Sequence, residues 1–459
     1  MFEHLLTHQT THALPIHLVS TNTLAAWLKK APATHKAWVE SHRFEALPDT
    51  ALVLPAANGK PAAVLAGVAP TLTPWSLAAL PMLLPAGTYK IETALSAGQH
   101  APLALGVLLA QYQFARYRTM KAKPFVLALP KNIALAPVIQ LAEATALARN
   151  LINTPTNDMG PKELAAEAKK LAQSLKAEYR EIVGDELLKK NYPAIHAVGR
   201  ASPNAPRLID IRWGNTKHPK LTLVGKGVCF DTGGLDLKPL AAMRLMKKDM
   251  GGAALMLALA KLIIAHKLPV RLRVLIPAVE NSVSGNAFRP QDIIPTRKGL
   301  SVEIGSTDAE GRVILCDALT EADSESPDLI IDAATLTGAA RTALGTELPS
   351  LFSNQDKIAR DLQTTSLAQH DPMWHLPLWQ GYDKYVNSPI ADITNSPNYG
   401  FAGAITAALY LQRFVRAHTP WVHIDTYAWN AEAQPGRPIG GEALCLRALF
   451  AYLQKRYAT

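Results

Sequence analysis

Among the ionisable side chains of the apolar, glycine-rich run from Leu223 to Ala254, Lys226, Asp231, Lys238 and Asp249 stand out. Charges in such company are costly to desolvate unless they pair or bind a metal ion, so they need partners. A second run, Gly305 to Asp317, supplies Asp308, Glu310 and Arg312. In an extended segment these three side chains project to one side, with Gly311 allowing a tight turn between them. Two carboxylates and a guanidinium aimed at one point suit a charged ligand; the competing reading is a surface turn with an internal salt bridge, worth little. If the two runs meet, three aspartates and one glutamate offer hard oxygen ligands to divalent Mg, Mn or Zn. Shared carboxylates can bridge two such ions, the arrangement that clamps nucleophile and electrophile in hydrolysis. Lys226 can ligate only as the free amine, which requires burial and adjacent cations to lower its pKa. Lys238 can keep its charge and stabilise an oxyanion.

The elements that must hold these residues are legible as alternating apolar segments. Leu208–Trp213, Leu221–Val224, Val270–Ala278, Leu329–Ala334 and Trp421–Asp425 read as strands, interleaved with helical runs at Gly252–Ile264 and Leu315–Ala322. Such alternation implies an α/β domain with a central mixed sheet flanked by helices. Ligands bind at strand ends in sheets of this kind, and both charged runs begin at strand ends. Upstream, strands at Ala51–Leu54, Ala62–Val68 and Pro124–Leu129 with a helical segment at Ala101–Tyr117 predict a smaller α/β domain. The expected organisation is an N-terminal domain over 1–135 with a role in assembly or specificity, a linker helix and loop over 136–160, and a catalytic domain over 161–459.

With 459 residues, 48% hydrophobic and 18% charged, the chain is long enough for two globular domains and is not disordered. No apolar run reaches the length of a membrane span, and the start lacks a secretory signal, so a cytoplasmic protein is expected. Cys229, Cys316 and Cys445 are too few and too scattered for a disulfide framework, and read as buried, reduced thiols. The formal charge of +10 permits nucleic-acid contact, but the basic residues are dispersed, so nucleic acid is not the expected partner. His4, His8 and His12 would share one helical face, yet no acidic partner accompanies them; a mobile or solvated terminus is expected. His423, near Asp425 on an apolar strand, reads as a satisfied core histidine. Glu280 and Asn281 follow a strand and could shape the pocket, without an assigned role.

The segment Ser306-Thr307-Asp308-Ala309-Glu310-Gly311-Arg312-Val313 resembles the signature NTDAEGRL of the leucyl aminopeptidase, or cytosol aminopeptidase, family of dinuclear metallopeptidases. The run GKG, FDTGG, LKP and MKKDMGGAA matches the metal-site loops of that family. Asp332–Gly338 and Gly403–Ala408 resemble two of its further segments, so that the likeness spans about residues 145 to 450. The resemblance implies that Lys226, Asp231, Asp249 and Glu310 hold a tighter metal ion. Asp231, Asp308 and Glu310 would hold a more exchangeable one. It implies two divalent ions per subunit, Zn or Mn with Mg or Co as further candidates, and a metal-bridging water as nucleophile. Lys238 would stabilise the oxyanion, and Arg312 would hold a bicarbonate acting as general base. Met246, Thr335 and Leu336 would contact the substrate, a peptide with a free N-terminus, in a homohexamer. A catalytically silent scaffold and a DNA-binding protein are the alternatives. Ser306 and Asp236 depart from the Asn and Ser usual in the family, which puts the loop's internal hydrogen bonds in question rather than the ligands.

Overall fold

The computed structural model describes residues 1–120 and 123–458. The chain forms two compact units, Met1–Ala146 with Glu432–Ile439, and Leu147–Ala431 with Gly440–Thr459. The Leu135–Asn153 helix runs through the division between them.

In the first unit, β1 (Leu6–Thr7), β2 (Leu14–Val19), β3 (Ala51–Pro55), β4 (Pro61–Gly67), β5 (Gly87–Ile91) and β6 (Phe125–Ala128) form a sheet in the order β1-β6-β5-β2-β4-β3. All neighbours run parallel except the β3–β4 hairpin. The Ala97–Ala110 helix buries Leu105, Val107 and Leu108 in a core with Ile16, Val64 and Leu127. The terminus is packed rather than mobile: Phe2 is fully buried and β1 pairs with β6. His4 and His12 are exposed, and His8 sits between them with Nδ1 against the Leu129 carbonyl. The three histidines share no helix, since only a short 3-10 turn at Glu3–Leu5 precedes β1.

The second unit is built from β7 (Glu178–Val183), β8 (Arg207–Trp213), β9 (Lys220–Gly225), β10 (Gly227–Asp231), β11 (Arg271–Asn281), β12 (Ile293–Pro295), β13 (Ser301–Glu303), β14 (Leu329–Ala334), β15 (Ser350–Ser353), β16 (Trp374–His375), β17 (Ile393–Thr394) and β18 (Trp421–Asp425). Its main sheet has the order β16-β15-β18-β14-β9-β11-β8-β7, with β10 alongside the second half of β11, and β12-β13-β17 form a small separate sheet. The strands β18, β14, β9 and β11 run parallel, whereas β7, β8 and β15 make antiparallel neighbours. The sheet is mixed, as its apolar runs predict. The central β14 and β18 are buried along their whole length, which is why they read as unbroken apolar runs rather than alternating ones.

Register sorts the two faces. Val224, Leu275 and Ile330 fall on one face, where Val313, Ile314 and Leu315 of the Glu310–Ser324 helix join the same core. The Gly251–Ala265 helix approaches the edge of the sheet so closely that a Cβ at Gly252 would lie 2.0 Å from the Ala333 carbonyl oxygen. Only glycine fits there, and the contact fixes the turn that carries Asp249. Asp332 and His423 pair within the sheet: His423 Nδ1 lies 2.5 Å from Asp332 Oδ1, and Trp421 Nε1 donates to Asp332 Oδ2 at 2.6 Å. Burial lowers the pKa of His423, but the Asp332 carboxylate outweighs it and the net direction is upward. The histidine belongs to the core, satisfied at Nδ1 and, among the described residues, without a hydrogen-bond partner at Nε2.

Candidate metal centre

The parallel strands end together, and the charged residues emerge from that edge. Lys226 follows β9 and donates its backbone N–H to Ala333 at the end of β14, at 3.0 Å. Asp231 closes β10, in register with Asn281 at the end of β11. Thr335 and Leu336 leave β14, and Asp425 ends β18. Asp249 lies in the 3-10 turn Met246–Met250 just before the Gly251–Ala265 helix. The segment Asp308–Arg312 is not extended: Glu310 opens the Glu310–Ser324 helix and Arg312 lies in its first turn. Helical geometry turns residues two apart to different sides, so Glu310 faces the acidic cluster while Arg312 donates from Nη1 to the Asn395 carbonyl at 2.7 Å. The helix N-terminus favours the negative charge at Glu310. Gly311 serves another purpose than a turn, since a Cβ there would sit 2.6 Å from Lys226 Cε.

Asp231, Asp308 and Glu310 each bring one carboxylate oxygen within 4.8 Å of the other two. Lys226 Nζ pairs with Asp249 Oδ2 at 2.6 Å and Glu310 Oε1 at 2.8 Å, and donates to the Thr335 carbonyl at 2.9 Å. Lys238 Nζ pairs with Asp231 Oδ2 at 2.8 Å and also with Asp308 Oδ1. Thr335 Oγ1 donates to Asp249 Oδ1 at 2.7 Å, and the second Asp231 oxygen accepts Gly233 N–H and Asn281 Nδ2, both at 2.8 Å. Glu310 Oε2 is buried and accepts no hydrogen bond among the described residues.

Burial, then the charge of Asp231, pushes the Glu310 carboxyl well above its ordinary range. The same two causes push Asp308 up to about 6 against the pull of Lys238, although its side chain is 39% exposed and solvent blunts the effect. Burial lowers the pKa of Lys226, but Asp249, Glu310 and Asp231 together raise it, so the direction in this acidic nest is opposite to the one a ligating amine requires. Crowded carboxylates that strain to ionise, with an orphaned oxygen among them, form a donor set that fits divalent cations; cations held there would also reverse the bias on Lys226.

A cavity of about 760 Å³ opens over the cluster. Lys238, Met246, Arg312, Thr335 and Leu336 line it with four of the five candidate ligands, and the fifth, Glu310, is 1% exposed. The structure therefore brings together every residue singled out in the two runs. It also adds residues that the sequence left unassigned or unnoticed. Asn281 holds Asp231 and donates to the Thr307 carbonyl at 3.1 Å. Asn395 accepts the Gly305 N–H at 2.8 Å and donates to the Ser306 carbonyl at 2.8 Å. Asp425 accepts the Leu336 N–H at 2.9 Å and the Thr337 hydroxyl at 2.6 Å, fixing the loop that carries Thr335. Glu280 turns away to Ser202 and Asn204 and takes no part.

Both departures from the family pattern make loop contacts. Ser306 Oγ accepts the Asp308 N–H at 3.1 Å. Asp236 accepts the Thr307 N–H at 2.7 Å, and its own N–H donates to Thr307 Oγ1 at 2.9 Å, so it staples one charged run to the other. Asp236→Ala is accordingly expected to weaken metal retention about ten- to a hundredfold, as loss of a group that orients ligands does, and chelator competition measures it.

Models of the cytosol aminopeptidase family catalytic domain and of the M17 aminopeptidase N-terminal domain match residues 146–450 and 14–130. A probable cytosol aminopeptidase of Syntrophotalea carbinolica is 41% identical over 371 residues, 77% of this chain and 74% of the relative. Among solved structures, the cytosol aminopeptidase from Coxiella burnetii matches with a TM-score of 0.95 at 47% identity, covering 98% of this chain and 99% of the other. The bottromycin maturation enzyme BotP in complex with Mn matches at 0.88 and 32%, covering 97% and 99%. The two-unit α/β architecture and the carboxylate cluster thus define a metal-dependent peptidase. The chain belongs to the cytosol aminopeptidase family and is an aminopeptidase that acts on peptides. These matches lend no support to a scaffold or DNA-binding role.

Proposed function

We propose that the chain removes the amino-terminal residue of peptides with two divalent ions held by Lys226, Asp231, Asp249, Asp308 and Glu310. The observation that carries this reading is the convergence of Asp231, Asp308 and Glu310 within 4.8 Å beside the Lys226–Asp249 pair. Four carboxylates and one amine suit Zn or Mn, with Mg or Co as further candidates, and the similar BotP was solved with Mn. Bound there, the ions supply Lewis acidity and a water acidified toward neutral pH.

The chain's own residues do the rest. Lys238 lines the cavity, held by Asp231 and Asp308, and there its ammonium would stabilise the oxyanion of the peptide carbonyl. Arg312 spends Nη1 on Asn395 and lines the cavity, where its guanidinium would hold a bicarbonate serving as general base. Met246, Thr335 and Leu336 line the cavity and would contact the substrate there. Family resemblance extends the reading to a homohexamer in the cytoplasm, which light scattering and cell fractionation test.

The deciding experiment strips the metals and restores Zn, Mn, Mg or Co singly while following hydrolysis of aminoacyl amides. Activity is expected to vanish and to return with at least one ion, and N-acetylated peptides, whose terminal nitrogen is no longer basic, are expected to be refused. No recovery with any ion would overturn the reading.

A further inference from the structure

The cavity has a second charged wall that catalysis as described leaves unused. Lys248 is only 4% exposed, yet it lines the cavity. Its ammonium lies 4.4 Å from the centroid of the half-buried Tyr427 ring. The guanidinium of Arg341, on the exposed side of the Gly338–Leu344 helix, lies 5.3 Å from the same centroid and lines the same cavity. Among the described residues neither cation has a carboxylate at ion-pairing distance. The acids nearest Lys248 are engaged elsewhere: Asp249 by Lys226 and Thr335, and Asp425 by the Leu336 amide and the Thr337 hydroxyl. The neighbouring Lys247 shows the contrast, since it donates to the Asn153 carbonyl at 2.7 Å.

A cation–π contact recovers only part of the cost of desolvating an ammonium. A second cation brought to the same ring adds repulsion, and both are relieved by an anion entering the cavity. Thr337 caps the helix bearing Arg341, accepting the Ala340 N–H at 3.0 Å, and is itself held by Asp425. The second cation is therefore fixed to the same strand edge as the catalytic loops.

We propose that Lys248 and Arg341, set around Tyr427, form a subsite for a carboxylate of the peptide substrate. The proposal rests on the aminopeptidase reading and adds a specificity to it. Two sources of that carboxylate fit: an acidic first side chain, or the free carboxyl end of a dipeptide.

Two substrate pairs separate them, measured on the metal-loaded protein: Glu-Ala-amide against Gln-Ala-amide, and Leu-Ala against Leu-Ala-amide. The carboxylate-bearing member of one pair is expected to be favoured by about tenfold or more in kcat/KM, chiefly through KM. The favoured pair identifies the source. Lys248→Met and Arg341→Gln are each expected to draw that ratio toward one, and the exposed Arg341 keeps the test valid should Lys248→Met fold poorly. Equal rates within both pairs, or a ratio unmoved by Arg341→Gln, would overturn the subsite. Cleavage without preference removes the subsite alone, whereas no cleavage of any of the four removes the aminopeptidase reading with it.

Discussion

Lys238→Met is expected to lower kcat for an aminoacyl amide by about 10²- to 10³-fold while the protein still binds its metal ions, the loss typical of removing one oxyanion donor. Two roles compete for this lysine. It pairs with Asp231 and Asp308, and the first role is that of a counter-ion whose only task is to neutralise carboxylates. In that case its removal would leave kcat largely intact and change metal affinity or melting temperature instead. If the ammonium acts on the reacting carbonyl, the defect falls on kcat at saturating metal, and metal affinity holds or rises because a competing cation has gone. Both lysines line the cavity, but the Lys238 side chain is 13% exposed, which favours the second role, whereas that of Lys226 is 3% exposed and held by three acceptors. Steady-state kinetics with metal content measured on the same samples separates the two. A variant within threefold of the parent in kcat would leave Lys238 a counter-ion.

The strand ends and the two charged runs were legible because apolar segments and isolated charges are local signals. Lys226 and Asp231 sit where strands stop, Asp249 just before a helix, and nothing distant is needed to see it. The conformation of the second run was not legible in the same way. Gly311 read as a turn, but it is there because the Lys226 side chain passes 2.6 Å from where its Cβ would be, a contact between residues far apart in sequence. Asn281 had no assigned role and Asn395 was missed for the same reason: each acts by bridging segments that only the fold brings together, and neither lies in a charged run. Asp236 is the instructive case. As a departure from the family pattern it raised doubt about the loop, yet its carboxylate accepts the Thr307 N–H and makes the link between the runs.

The largest effect is expected at Glu310. It has one oxygen against Lys226 and another buried without a donor, and its carboxylate belongs to the cluster with Asp231 and Asp308. Glu310→Gln keeps the shape and removes the charge, so it weakens both proposed metal positions at once. Lewis-acid assistance is worth several kcal/mol, and about 4 kcal/mol corresponds to roughly 10³-fold, so kcat/KM should fall by at least that factor. A structural role would look different. Leaving Lys226 with Asp249 as its remaining carboxylate would destabilise the metal-free protein, while relief of crowding with Asp231 would act the other way, and neither bears on metal. The discriminating quantity is the gain in stability on adding metal. In the parent it grows with free ion, to about 2.7 kcal/mol at a hundred times Kd. In Glu310→Gln at the same ion concentration most of that gain should disappear, whatever happens to the metal-free melting temperature. Retention of the full gain together with activity within tenfold of the parent would remove Glu310 from the ligand set, and with it the two-ion centre as drawn.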